Sequence, residues 1–211
     1  MEESDYRALL TELPEPLRPA MEFAYWTGWR IQDEVLSLTW AQVDFDAGVV
    51  RLEENTTKSG KGRTFPFSAL PDLAALLERQ RAHTDAVERL HGIIVPTVFH
   101  RNGKPILAYL DAWRSACKRA STSNSDGLES ITRPRLVGRT PHDFRRTAAR
   151  NLIRAGVAQH VVMQLCGWKT DAMFRRYAIV DERDLRSAVE MLAKGTTGAQ
   201  SKIRQCGRSD D

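Results

Sequence analysis

The chain has 211 residues and a formal net charge of +4, and hydrophobic residues make up 42% of it. The composition is that of a water-soluble globular protein, and the length suits one large domain or a domain with a tail. The three cysteines form no Cys-x-x-Cys pair, and the sequence contains no signal peptide and no apolar run of about 18 residues. These features argue against a secreted, disulfide-linked or membrane protein and predict a cytoplasmic one.

Apolar residues recur at helical spacing along most of the chain. This pattern predicts helices over residues 4–13, 18–28, 31–40, 70–91, 106–120, 140–155, 158–166, 171–178 and 182–194. Ser4 is the expected cap of the first helix, and Thr140 and Pro141 are expected to open the helix after residue 139. Gly28, Gly156 and Gly167 are expected to end helices.

Strand patterns interrupt the helices in the first half of the chain. They occur before and after a turn at residues 46–48, on both sides of a Ser-Gly-Lys-Gly turn at 59–62, and in the β-rich run 93–99, which precedes a turn at Asn102-Gly103. Residues 121–139 are rich in Ser, Gly and Pro and are predicted to form a loop. The predicted fold class is therefore α+β, mainly α-helical with a small antiparallel β-sheet.

Five places in the sequence hold residues that could carry chemistry, and they contain Arg30, Lys58, the pair His142 and Arg145, Trp168, and Tyr177. Taken singly, each has an ordinary structural interpretation. The charged residues would be solvated, the histidine and its arginine partner would cap a helix, and the aromatic residues would pack. The informative observation is that all of them occur together, in this order and at specific spacing.

Four segments around these residues resemble the successive conserved boxes of the tyrosine recombinase (phage integrase) family. They are TGWRIQDEVLSLTW, TTKSGKGRTFPF, TPHDFRRTAARNLIRAG and LCGWKTDAMFRRYAIV. The resemblance covers roughly residues 4–192, and it includes the 23 residues from Arg145 to Trp168 and the nine from Trp168 to Tyr177. It implies the catalytic-domain fold of this family for residues 1–194 and a flexible tail for 195–211, with the family's N-terminal core-binding domain absent.

The resemblance also implies a role for each residue. Arg30 and Arg145 would hold the non-bridging oxygens of the attacked phosphate through forked hydrogen bonds. His142 would move a proton or donate a hydrogen bond, and Lys58 would protonate the departing 5′-oxygen. Tyr177 would be the nucleophile and would form a 3′-phosphotyrosine intermediate on DNA.

Two positions depart from the family pattern. Trp168 stands where most members carry histidine, so its indole can donate a hydrogen bond but cannot act as an acid. In many members one acidic residue stands three after the first arginine and an apolar residue follows it directly. Here Asp33 and Glu34 stand together, so one extra residue precedes Val35. We expect a local adjustment of the helix rather than loss of the site.

The function implied by the resemblance is site-specific recombination, in which double-stranded DNA is cut and rejoined without a metal or cofactor. The protein would be phage-encoded or associated with a bacterial nucleoid, would not bind membranes, and would be a monomer in solution and a homotetramer on synapsed DNA. Further basic side chains are candidates for contact with the DNA backbone: Lys61, Arg63, Lys118, Arg119, Arg139 and Arg146. A solvated loop is an equally good interpretation of those that border residues 121–139.

Two other functions remain open at this point. The helices over 141–167, joined at Gly156, superficially resemble a helix-turn-helix, which would suit a DNA-binding or regulatory module without chemistry. That interpretation leaves Arg30, Lys58 and Tyr177 unexplained. A type IB topoisomerase-like enzyme would use the same chemistry to relax DNA.

Overall fold

The computed structural model describes residues 1–53, 62–125, 128–177, 185–186 and 189–190, with side chains for all of these except 123–131 and 177. Residues 1–177 form one compact unit, and residues 178–211 form a second. The fold and the candidate site described below belong to the first unit.

The helices account for most of the first unit. They are α1 (Glu3–Glu12), α2 (Arg18–Thr27), α3 (Pro71–His91), α4 (Leu110–Ser121), α5 (Asp143–Arg154), α6 (Gln159–Cys166) and α7 (Asp171–Tyr177). Each lies within a few residues of a predicted helix. The expected cap at Ser4 is wrong, because the residue that precedes α1 is Glu2 and its side chain makes no capping hydrogen bond. The expected opening of α5 at Thr140 and Pro141 is also wrong, because these residues lie in the turn before the helix and the residue that precedes α5 is His142. The helix predicted over 182–194 lies mostly outside the described residues.

The strands form small antiparallel sheets, as expected. Strands β1 (Val43–Asp44), β2 (Val49–Leu52) and β3 (Arg63–Phe65) make a three-stranded sheet in that order. Strands β4 (His100–Arg101) and β5 (Lys104–Pro105) form a hairpin at the predicted Asn102-Gly103 turn, where both turn residues have positive φ. The predicted α+β fold class is confirmed.

The structure overturns two of the predicted segments. The run 93–99 contains no strand but only an isolated bridge between Thr97 and Thr39, because Pro96 has no N–H to donate to a ladder. The loop predicted over 121–139 contains the paired strands β6 (Thr122–Ser125) and β7 (Leu128–Ile131). The Asp-Gly dipeptide between these strands lies outside the described residues, but it is a typical hairpin sequence that could have indicated them.

Helix α2 is the central helix that positions the site. Its side chains Phe23 and Ala24 are fully buried, and the helix packs against α3 and α5. It ends at Gly28, where φ is 65°. A Cβ at this position would lie 2.9 Å from the Cβ of Ala148, so glycine allows the end of α2 to approach α5 closely. Arg30, two residues later, therefore lies beside α5.

The helix predicted over 31–40 is replaced by a shorter, wider structure. Residues Ile31–Val35 form a π-turn, and a 3₁₀ turn follows at Trp40–Gln42. The N–H of Val35 donates to the carbonyl of Arg30 at 3.0 Å and that of Leu36 to Ile31 at 2.8 Å, in each case five residues back. A π-turn absorbs one residue more than an α-turn, so the local adjustment expected at the acidic pair is confirmed.

Candidate active site

Of the two carboxylates in the π-turn, one points into the protein. Asp33 is exposed to solvent, whereas Glu34 is completely buried. Arg30 stands immediately before the turn, and Glu34 holds it twice. The backbone N–H of Arg30 donates to Oε2 at 2.7 Å and its Nη1 donates to Oε1 at 2.8 Å. The Arg30 side chain remains 21% exposed, so one edge of its guanidinium is fixed and another faces solvent.

Glu34 is also shared by two further arginines. Arg63 on β3 forms an ion pair with Oε2, and Nη1 of Arg145 lies 3.8 Å from the same oxygen. Among the described residues, three guanidinium groups therefore share this carboxylate, and three positive charges against one negative charge leave a net +2. A partly buried cluster with an excess of positive charge favours an anion in front of it.

Arg145 connects the ends of two helices. Its Nη1 donates to the carbonyl of Gly28, at the end of α2, at 2.7 Å. Its Nη2 donates to the carbonyl of Cys166, the last residue of α6, at 2.8 Å. The side chain is only 2% exposed, so this position of the guanidinium is fixed by both helices. The arginine is thus held in place before any ligand binds.

The charge of Arg145 survives this burial. Desolvation, and then the neighbouring charge of Arg30, lower the pKa of Arg145 to about 10, while Glu34 acts in the opposite direction. A pKa near this value leaves the guanidinium protonated at neutral pH. The ring of Trp168 contributes a cation–π contact, with its centroid 5.5 Å from the guanidinium carbon.

A pocket of about 270 Å³ brings three of the expected residues together. Arg30, His142 and Arg145 line it, along with Trp29 and Tyr109. The pKa of His142 is lowered because the ring is partly withdrawn from water and because Arg145 and Arg30 disfavour a further positive charge. At neutral pH the ring is therefore mostly neutral, and a neutral imidazole can both accept and donate a proton.

Trp168 and Tyr177 lie at the two ends of the segment that follows α6. Trp168 is buried and packs edge-on against Phe174 of α7, with the ring centroids 6.1 Å apart. Helix α7 also packs against α5, the helix that carries Arg145. Tyr177 is the last residue of α7, and its side chain lies outside the described residues, as do Lys58 and Lys61.

The remaining candidates for DNA contact occupy different environments. Lys118 is exposed. Arg119 pairs with Glu12 at 2.8 Å. Arg139 and Arg146 lie 3.0 and 3.7 Å from a carboxylate oxygen of Asp143.

Arg63 differs from the expectation of an exposed contact with DNA. Its side chain is only 3% exposed and is paired with Glu34, so it belongs to the interior of the site. The signal for this was present in the sequence, because alternate residues of a strand face the same side. Arg63 shares its side with Phe65, and both are buried, whereas Thr64 is exposed.

Two other kinds of site are absent from the described residues. These residues contain no group of three or more His, Cys, Asp or Glu side chains placed to hold a metal ion. No described helix is both long and apolar enough to cross a membrane.

Fold and site together define a mainly helical domain that presents clustered arginines and a histidine to one pocket. Residues 1–183 match the model of the phage integrase family, and the chain belongs to this family. The integrase of Salmonella phage P22 is 28% identical over 187 residues, which are 84% of this chain and 43% of that protein. The chain thus spans less than half the length of this relative.

Solved structures show the same fold. The Tn1549 transposon integrase in complex with transposon right end DNA has a TM-score of 0.64 and 20% identity, over 92% of this chain and 65% of that one. A lambda integrase tetramer bound to a Holliday junction has a TM-score of 0.55 and 19% identity, over 86% of this chain and 49% of that one. The expected catalytic-domain fold of tyrosine recombinases is confirmed.

Proposed function

We propose that this chain contains the catalytic domain of a site-specific DNA recombinase, in which Tyr177 cleaves and rejoins DNA through a 3′-phosphotyrosine. The observation that carries the proposal is the pocket in which Arg30, His142 and Arg145 meet, with Arg30 held by Glu34 and Arg145 held by the carbonyls of Gly28 and Cys166. Transfer of a phosphoryl group requires positive charge fixed in advance at the place where negative charge develops.

The two arginines supply this charge in different ways. A guanidinium has five N–H donors. Arg145 uses donors on two of its nitrogens for the carbonyls of Gly28 and Cys166, and it also lines the pocket, where its remaining donors would meet a phosphate oxygen. Arg30 offers the edge of its guanidinium that faces solvent. Two such groups on the non-bridging oxygens would stabilise the crowded, more negative transition state.

The covalent step exchanges one phosphate ester for another. The Tyr177 oxygen forms a bond to phosphorus, and the bond to the 5′-oxygen breaks. The phenol, with a reference pKa of about 10, must lose its proton, and neutral His142 is a candidate acceptor. Lys58 supplies a proton to the departing 5′-oxygen, and Trp168 packs the site. Because the tyrosyl ester retains the bond energy, a 5′-hydroxyl can reseal the strand by the reverse reaction.

The proposed partner is double-stranded DNA, and the proposed assembly is a monomer in solution and a homotetramer on synapsed DNA. The Tn1549 integrase and lambda integrase complexes with DNA support the first statement, and the lambda tetramer on a Holliday junction supports the second. Lys61, Lys118 and Arg146 remain candidates for contact with the backbone. Substitution of these three would make binding less sensitive to salt without changing sequence preference.

The test uses nicked suicide duplexes with a randomised central sequence, incubated with the purified chain. Cleavage releases a short fragment, which traps the protein on DNA, and the covalent adduct is recovered after denaturation and sequenced. We expect an adduct with the native chain, none with Tyr177→Phe, and a normal yield with Tyr25→Phe, a change in the buried core. Adduct yields no higher than those of Tyr177→Phe would contradict the proposal and favour a DNA-binding module without chemistry.

A further inference from the structure

Arg63 has surroundings that the roles assigned so far do not explain. It is the first residue of β3, and its guanidinium lies among three groups from other parts of the chain. The guanidinium pairs with Glu34 and fills the space beside Gly167. It also lies over the ring of Trp29, where the guanidinium carbon is 4.8 Å from the ring centroid. A Cβ on Gly167 would lie 1.3 Å from Nη1 of Arg63, so the guanidinium occupies the place of a side chain.

We propose that Arg63 is a positioning residue that neutralises Oε2 of the Glu34 carboxylate and thereby leaves the charge of Arg145 available to the phosphate of the substrate. This inference rests on the proposed function, because the substrate phosphate is that of DNA.

The division of the Glu34 oxygens supports this role. Oε1 accepts from the side chain of Arg30, while Oε2 accepts from its backbone N–H and pairs with Arg63. Arg145 is the next guanidinium from Oε2, at 3.8 Å. Because attraction between opposite charges rises as their distance falls, removal of Arg63 would leave Glu34 to neutralise more of the charge of Arg145, so that less of this charge is offered to the phosphate.

Arg63 also connects the parts of the site mechanically. Glu34 belongs to the π-turn that holds Arg30, and Gly167 begins the turn that leads through Trp168 to α7. Helix α7 ends at Tyr177, the proposed nucleophile. One guanidinium thus sets both the charge at the arginine pair and the spacing of the turn that precedes the nucleophile helix.

The test compares four variants with the native chain: Arg63→Met, Arg63→Lys, Glu34→Gln and the double variant Arg63→Met/Glu34→Gln. Arg51→Met is the matched control, because Arg51 lies on the neighbouring strand β2 and is largely exposed. Three quantities are measured. These are the rate of adduct formation at saturating suicide DNA, the Kd for that DNA, and the Kd for inorganic phosphate from the fluorescence of the tryptophans beside the cluster.

For Arg63→Met we expect adduct formation slower by roughly ten- to a hundredfold, the effect of losing one charge-assisted contact, with little change in the Kd for DNA. Its affinity for inorganic phosphate also falls. Arg63→Lys recovers part of both losses because it restores the charge, and Arg51→Met behaves like the native chain. The double variant forms adduct faster than Glu34→Gln alone, because it no longer leaves Arg63 without its carboxylate.

A role for Arg63 that does not act through the charge of Glu34 predicts other results. The losses of the two single variants would then multiply in the double variant, and Arg63→Lys would be as slow as Arg63→Met. Either result overturns the proposal, as does a rate for Arg63→Met within about threefold of the native rate. If circular dichroism shows that Arg63→Met is unfolded, the double variant is compared with Glu34→Gln instead. A double variant that forms adduct no faster than Glu34→Gln then overturns the proposal.

The phosphate titration separates this proposal from the proposed function. If the native chain forms no adduct but binds phosphate, and Arg63→Met binds it as tightly as the native chain does, the positioning role is excluded as well. If Arg63→Met binds it more weakly, the positioning role holds for an anion site whose chemistry is different.

Discussion

Replacing Glu34 with glutamine removes the carboxylate that Arg30, Arg63 and Arg145 share, while it keeps the size of the side chain. The guanidinium groups of Arg63 and Arg145 are 3% and 2% exposed, so water cannot replace the lost counter-charge. Removing one member of a buried ion pair destabilises a protein by about 3–5 kcal/mol. We expect Glu34→Gln to lower the free energy of unfolding by about this amount, a large fraction of the roughly 5–15 kcal/mol typical of a domain.

Asp33 provides the matched control, because it is adjacent, acidic and exposed. Asp33→Asn is expected to change the free energy of unfolding by no more than about 0.5 kcal/mol. The assay is urea denaturation followed by circular dichroism, with a thermal melt in which Glu34→Gln unfolds roughly 6–20 °C lower. Added phosphate should restore part of the stability of Glu34→Gln, because an anion bound only to the folded cluster replaces the missing charge.

The outcome that refutes this reasoning is a reversed order of the two variants. In a regular α-turn the carboxylate three residues after Arg30 would face the site, and Asp33→Asn would then be the destabilising change. Equal effects of the two substitutions would also contradict the structure, because only Glu34 is buried.

Three further predictions concern residues around this cluster and in the core. Gly167→Ala should lower the melting temperature more than Gly156→Ala. Both glycines have positive φ, which costs a non-glycine residue about 1–2 kcal/mol. Of the two, only Gly167 also faces the buried guanidinium of Arg63, so equal losses of melting temperature would contradict this packing. Burial, and then the neighbouring His83, lower the pKa of His100. As the pH falls, this histidine is therefore protonated in the unfolded state before the folded state, and the free energy of unfolding measured in urea should fall below about pH 6.5. His100→Gln should flatten this dependence, and an unchanged slope would assign it elsewhere. Burial raises the pKa of Cys117 and Cys166 to about 11, so a disulfide reagent should label them slowly at pH 8 until urea is added; rapid labelling of the folded chain at either position would contradict their burial.

Much of the fold could be predicted because its signals are local. Helix α2 was expected to end at Gly28 and α6 at Gly167, and both glycines adopt the left-handed conformation that ends a helix. The spacing of the conserved boxes also identified Arg30, His142 and Arg145, which the structure places around one pocket. Their roles in catalysis stay predictions until the cleavage experiments are done.

Other features were missed because composition was weighed above a local signal, or because they depend on contacts between distant residues. Arg63 alternates with buried Phe65, but a strand arginine beside a glycine turn suggests a solvated charge, and its counter-charge, Glu34, lies 29 residues away in sequence. A Ser- and Gly-rich composition favours a loop over 121–139 and outweighed the Asp-Gly hairpin signal, although strand pairing forms there. Which of the two adjacent carboxylates faces inward depends on the width of the turn, and composition does not encode it.

The π-turn has a consequence for how sites of this kind vary in length. It takes up one residue within Ile31–Val35, and Leu38, three residues after the turn, is fully buried. An insertion here therefore stays local. A carboxylate three residues after the arginine in a narrow turn and one four residues after it in a wide turn can reach the same place. An alignment that counts residues would then pair the narrow turn's carboxylate with Asp33, whereas one that follows the hydrogen-bond ladder would pair it with Glu34.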